Sequence, residues 1–164
     1  MFALLTLTAI AVGMRWFLLP TLTLQRGVAR MLDDAKTAFH FGLSSGLVFT
    51  AAGRFSNRRA TLQIVQPRKH VAGEVLLAME ARAPDGADWK DSSLTRADPD
   101  LSRATFDVEG RYGLILTLTG GWLRATWNPL PGLRFPGRFD EEQWRNTLTQ
   151  MHVIAEWLER RHAR

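Results

Sequence analysis

The chain has 164 residues, a formal net charge of +5 and no cysteine. That length suits one hydrophobic core, and the lack of cysteine excludes a disulfide framework or a thiolate metal site. With 46% apolar and 23% charged residues, the composition is not that of a disordered or low-complexity chain.

The first segment, Phe2 to Leu24, is almost entirely apolar and holds one charge, Arg15. A helix over it would cover about 34 Å, enough for a bilayer core of roughly 30 Å. Arg15 lies toward its C-terminal end, where a long side chain snorkels to the interface, and Trp16 suits the aromatic belt there. Thr6 and Gly13 are the small or polar residues that let membrane helices approach one another. No basic residue precedes the run and no small-residue cleavage site ends it, which disfavours a cleaved secretory signal. The segment 1–24 is therefore expected to be a transmembrane anchor. Arg15, Arg26 and Arg30 put the positive flank on its C-terminal side, so the expected orientation is N-terminus outside with the domain in the cytoplasm.

An amphipathic connecting helix is expected over 25–43. Leu24, Val28, Met31, Leu32, Ala35 and Phe39 recur at helical spacing, and Gly42 with Ser44, Ser45 and Gly46 ends the pattern. Region 44–137 reads as an antiparallel sheet. Leu47–Ala52 and Ala60–Gln66 form a first hairpin with Ser56 and Asn57 at its tip. Glu74–Ala83 follows, and then a long loop to Ser102 rich in Asp, Ser, Pro and Gly. Ala104–Glu109 alternates as a strand would. Tyr112–Leu118 and Trp122–Trp127 flank Gly120 and Gly121 as the clearest hairpin. Pro129, Pro131 and Pro136 exclude regular structure beyond it. Region 138–164 is expected to be a helix packed on the sheet, N-capped by Asp140. Trp144, Leu148, Met151, Ile154, Ala155 and Leu158 form its buried stripe, and Trp157 at the border can meet a partner or a membrane.

Chemistry is sparse. His40, His70, His152 and His162 lie far apart, and no pair has metal-ligand spacing. Nothing matches a phosphate loop or a nucleophile motif. The expectation is no enzyme, with no catalytic, cofactor-binding or metal residues. Arg54, Arg58, Arg59, Arg68 and Lys69 form a basic patch with no intervening acid. Such a patch suits anionic lipid headgroups or an acidic protein surface; nucleic acid is not expected, for want of a recognition motif.

Three short pieces carry a resemblance. Gly53-Arg54-Phe55-Ser56-Asn57-Arg58, Phe106-Asp107-Val108-Glu109-Gly110 and the helix from Asp140 together resemble uncharacterised bacterial single-span, membrane-anchored α+β domains. The resemblance implies a layout and no activity.

The fold class expected is thus α+β, an N-terminal transmembrane helix followed by an antiparallel β-sheet of about five strands packed with amphipathic helices. The function expected is that of a non-catalytic accessory, structural or assembly subunit of a multi-subunit complex in the bacterial inner membrane. By analogy, energy-transducing assemblies such as photosynthetic reaction-centre and light-harvesting complexes would be hosts. Its partners would be integral membrane subunits and anionic lipid headgroups. The alternative is a membrane-tethered lipid- or ligand-binding domain with a pocket lined by Leu77, Leu116 and Trp144.

Overall fold

A computed structural model describes residues 22–42, 46–65, 73–83, 98–127 and 141–162. A helix over 22–31 (α1) leads into strands β1 (Asp33–Gly42), β2 (Gly46–Phe55), β3 (Arg58–Val65) and β4 (Glu74–Glu80). Helix α2 (Pro99–Thr105) runs on as a π-helical turn, Phe106–Arg111. Strands β5 (Ile115–Thr119) and β6 (Trp122–Trp127) and helix α3 (Glu141–His162) complete it. The strands form one six-stranded sheet in the order β1-β2-β3-β4-β6-β5. Every neighbouring pair is antiparallel.

Local sequence accounts for the turns. Ser56 and Asn57 take φ 48° and 65° between the closing pair Phe55 and Arg58. Positive φ at both central residues matches the right-handed twist of a hairpin, and asparagine tolerates it. Gly120 and Gly121, at φ 61° and 71°, do the same between Thr119 and Trp122.

Strand alternation then separates two faces. The inner face carries Phe49, Ala51, Ala60, Leu62, Ile64, Val75, Leu77, Met79, Leu116, Leu123 and Ala125, all buried. Phe39 packs on its cross-strand partner Phe49 with ring centroids 4.9 Å apart. Over this face lies α3, which buries Trp144, Leu148, Met151, Ile154, Ala155 and Leu158. α1 adds Val28 and Met31, and α2 with its π-helical turn adds Leu101, Ala104 and Val108, all in the same core cluster. Each fully buried leucine contributes about 1.5–3 kcal/mol. All the described helices therefore cover the same face of the sheet. Arg145 ties two of them: it donates to the Arg30 carbonyl at 3.1 Å and pairs with Glu141 at 3.0 Å.

Several expectations are corrected. No helix among the described residues is long and apolar enough to cross a membrane. Residues 1–21, with Thr6, Gly13, Arg15 and Trp16, lie outside the described residues. The described end of the expected anchor, 22–24, belongs to α1, which carries Arg26 and Arg30 and packs Val28 and Met31 into the core. α3 is long enough to span but bears Glu141, Glu142, Arg145, Glu156, Glu159, Arg160 and Arg161. The single-pass topology, the inner-membrane location, the membrane-complex subunit and the membrane-tethered binding domain rested on that anchor, and none is carried forward.

The connecting helix also stops early. It ends at Met31, and Asp33–Gly42 is an edge strand. The apolar residues Ala35 and Phe39 that extended the helical pattern instead lie on the inner face of β1, packed against the core. The strand expected over Ala104–Glu109 is helical. Leu101, Ala104 and Val108 share one buried side at helical spacing. Asp98 caps α2 by accepting from the Asp100 and Leu101 amides, and Pro99 stands at its first turn. Leu77, Leu116 and Trp144 fill the core rather than line a pocket.

Gly53 shows how closely α1 and β1 sit on the sheet. A Cβ there would lie 2.7 Å from the Asp33 carbonyl oxygen and 2.9 Å from Leu32 Cβ. Backbone cannot swing aside as a side-chain tip can. Gly53→Ala is expected to destabilise by about 1–3 kcal/mol, read as a melting temperature lowered by roughly 2–4 °C per kcal/mol. An unchanged melting temperature would show that this junction is loosely packed.

Candidate interaction surface

The face of the sheet opposite the helices is built by register. One row across it reads Ala38, Thr50, Gln63, Leu76, Thr126 and Ile115, each the partner of the next. The adjacent row reads Lys36, Ala52, Thr61, Ala78, Arg124 and Thr117. Toward the hairpin tips come Asp33, Arg54 and Arg59, with Glu80 paired to Trp122 and Trp122 to Thr119. Lys36, Ala52, Arg54, Arg59, Gln63, Ile115, Thr117, Thr119 and Arg124 are exposed.

Solvent is the usual environment of one face of an antiparallel sheet, and such faces are polar. This one differs in kind. Its middle is alanine and threonine. Ile115 keeps 57% of its surface exposed at the β5 edge, and Leu76, Val48 and Val65 are half-buried on the same face. Its charges are Lys36, Arg54, Arg59 and Arg124 against Asp33, Glu74 and Glu80, and Trp122 stands among them. Arginine and tryptophan are side chains enriched where proteins meet. Arg54 lies directly opposite Arg59, an arrangement that like charges make unfavourable in an isolated sheet. Neither makes an ion pair with another described residue. Glu80 pairs with Arg82 at 3.7 Å, and Arg82 holds φ 42°.

A second charged cluster lies at the inner end of the first hairpin. Arg58 donates to both oxygens of Glu159 at 2.5 and 2.8 Å. Its Nε donates to His152 Nδ1 at 3.1 Å, and it reaches the Glu80 carbonyl at 3.4 Å. His152 Nε2 lies 3.4 Å from Glu156. This forked contact pins the β2–β3 hairpin to α3. Hydrogen bonding from Arg58 holds the Glu159 carboxyl below its ordinary range, against the opposing effect of burial. The same bond raises the Arg58 guanidinium. Arg58 thereby joins β3 to α3 through Glu159 and His152, and to β4 through the Glu80 carbonyl.

The expected basic patch is thus divided. Arg54 and Arg59 point to the open face, while Arg58 turns to the helical side. Arg68 and Lys69 lie outside the described residues. Trp157 is half-buried against the core, and Arg161 sits over its ring at 5.3 Å. Lys36, Trp122 and Arg124 join the open face although sequence reading did not group them. The signal was present as period-two spacing in strands whose pairing was unknown. Glu109 is engaged as well, accepting the Leu116 amide at 3.0 Å along the outer edge of β5. Asp107 pairs with Arg111 at 3.9 Å. Among the described residues no group of His, Asp or Glu is arranged to hold a metal ion.

Comparison with known protein families, curated proteins and solved structures returns no match. The resemblance to bacterial membrane-anchored domains is corrected accordingly. Of its three pieces, Phe106–Gly110 is helical rather than a strand.

The Arg58–Glu159 contact yields a pH test. A carboxyl held low in the folded state contributes stability above the ordinary carboxylate range, and loses it as pH falls through that range. Glu159→Gln is expected to cost about 1–2 kcal/mol at pH 7, since the pair is only partly buried. Chemical denaturation from pH 7 down to pH 3 should then show a smaller loss in the variant than in the parent. Parallel curves would assign the pH dependence to other groups.

Proposed function

We propose that this chain is a non-catalytic binding domain whose working surface is the open face of its sheet. The observation that carries the reading is the one-sided helix layer. α1, α2 and α3 all pack on the inner face, and no described helix lies over the outer face, where Lys36, Ala52, Arg59, Gln63, Thr117 and Arg124 are exposed and Ala78 at the centre is buried. Arginines, a tryptophan and small residues on that platform are suited to protein contact. Small residues let a partner's backbone or side chains approach, and the forked guanidinium groups recognise carboxylates. Among the described residues Trp122 and His40 are the ring-bearing side chains on this face, at opposite ends of it, and Glu74 and Glu80 interrupt its positive charge. Neither feature suits a nucleic-acid platform, which stacks several bases on aromatic rings in a basic groove. The acid–base residues of the Arg58 cluster are committed to joining α3 to the sheet, which supports a non-catalytic reading.

The test is a photo-crosslinking residue introduced in cells at Thr117, on the open face, or at Arg103, exposed on α2. One recurrent protein adduct from Thr117, identified by mass spectrometry and at least about tenfold stronger than from Arg103, is the expected result. Equal capture from both positions, or none from Thr117, would contradict the reading.

A further inference from the structure

From the register of the sheet, we infer that the open face pairs with the open face of a second copy of this chain, about a twofold axis that runs along the strands between β3 and β4. The inference rests on the reading of that face as the working surface and names its partner.

Such an axis exchanges β3 with β4, β2 with β6 and β1 with β5, and keeps each row at its own level. The row nearest the hairpin tips then meets itself in reverse. Arg59 and Glu80 lie on neighbouring strands, one step beyond the pair Ala60–Met79. Within one copy they form no ion pair with each other; Glu80 leans instead to Arg82. Across the axis Arg59 of each copy faces Glu80 of the other. Arg54 meets Trp122, a guanidinium over an indole face. The like-charged Arg54–Arg59 neighbours each gain an attractive contact that the single copy lacks.

The next row gives steric rather than electrostatic fit. Thr61 comes over Ala78, and Ala52 over Arg124. Large side chains fall on small ones in both directions, as a self-complementary twofold contact demands. One row further, Ala38 lies over the exposed Ile115. Reversing the row is what produces these matches. A twofold axis across the strands would set Glu80 toward Glu74 on the same strand of the other copy and would bring no arginine onto a carboxylate at the centre.

The size is adequate for a reversible dimer. Six strands at about 4.8 Å spacing, and rows spread over about 20 Å of strand, give roughly 500 Å² of each copy. The total, about 1,000 Å², stands at the lower limit for a specific interface. An axis along the strands sets the strands of the two copies parallel where Arg59, Glu80, Thr61 and Ala78 lie, within the range of aligned sheet packing.

Sedimentation velocity of the full chain between about 1 and 200 µM tests the inference. The expected result is a shift from the 18.5 kDa monomer to a dimer with a micromolar Kd. Arg59→Glu and Glu80→Arg should each weaken it at least tenfold, and the combined exchange should restore it. Thr61→Arg, which overfills the centre, should leave a monomer with an unchanged circular-dichroism spectrum. A wild-type monomer at 200 µM, or a dimer indifferent to these substitutions, would overturn the inference. The crosslinking result separates this failure from that of the broader reading. A Thr117 adduct with a different protein would overturn the second-copy inference and leave the working surface in place.

Discussion

The apolar stripe of α3 decides which side of the sheet is inside. Trp144, Leu148, Met151, Ile154, Ala155 and Leu158 lie along one side of the helix and meet the inner residues of the central strands. Because strand side chains alternate, burying Leu62, Leu77, Met79 and Leu123 beneath that helix fixes the fate of Thr61, Ala78 and Arg124. They must point the other way. A one-residue slip of β6, for example, would exchange the two sets and place Arg124 in the core. The core thus sets the register, and the register creates the open surface. The Arg58–Glu159 contact reinforces the same alignment at the end of the hairpin, holding β3 against α3.

The two arginines at the start of β3 illustrate this coupling. Arg58 and Arg59 are adjacent in sequence but belong to different sides of the molecule. Arg58 is satisfied by Glu159, His152 and a backbone carbonyl. Arg59 stays on the exposed side beside Arg54. A patch that looks continuous along the chain is divided by strand geometry into a structural tie and a candidate contact surface.

Much of this architecture was legible in the sequence. The two hairpins, with Ser56–Asn57 and Gly120–Gly121 at their tips, followed from turn chemistry, and the stripe of α3 followed from helical spacing. The edge strand β1 was not legible, because Ala35 and Phe39 continue the helical pattern of Val28 and Met31. The break at Asp33–Asp34, where Asp34 takes φ 54°, turns the chain without glycine or proline to announce it. α2 was missed for a related reason. Phe106-Asp107-Val108 alternates like a strand, and the helical signal resides in Leu101, Ala104 and Val108 taken with the Asp98 cap. The open face was the least legible, since Lys36, Arg54, Arg59, Trp122 and Arg124 come together only once the strand order is known. The membrane reading drew its weight from an apolar run lying almost wholly outside the described residues, and its described end belongs to α1, whose Val28 and Met31 enter the core.

The chain has no cysteine, so single cysteines report directly on which face of the sheet is open. The decisive measurement is the rate of thiol labelling at about 1 µM for Gln63→Cys, Thr117→Cys and Leu62→Cys. Gln63 and Thr117 should react about as fast as a free thiol, and Leu62, from the inner face of the same strand as Gln63, at least about a hundredfold more slowly. Equal protection at Gln63, Thr117 and Leu62 would mean that another part of the chain covers both faces, and the account of an open working surface would fail.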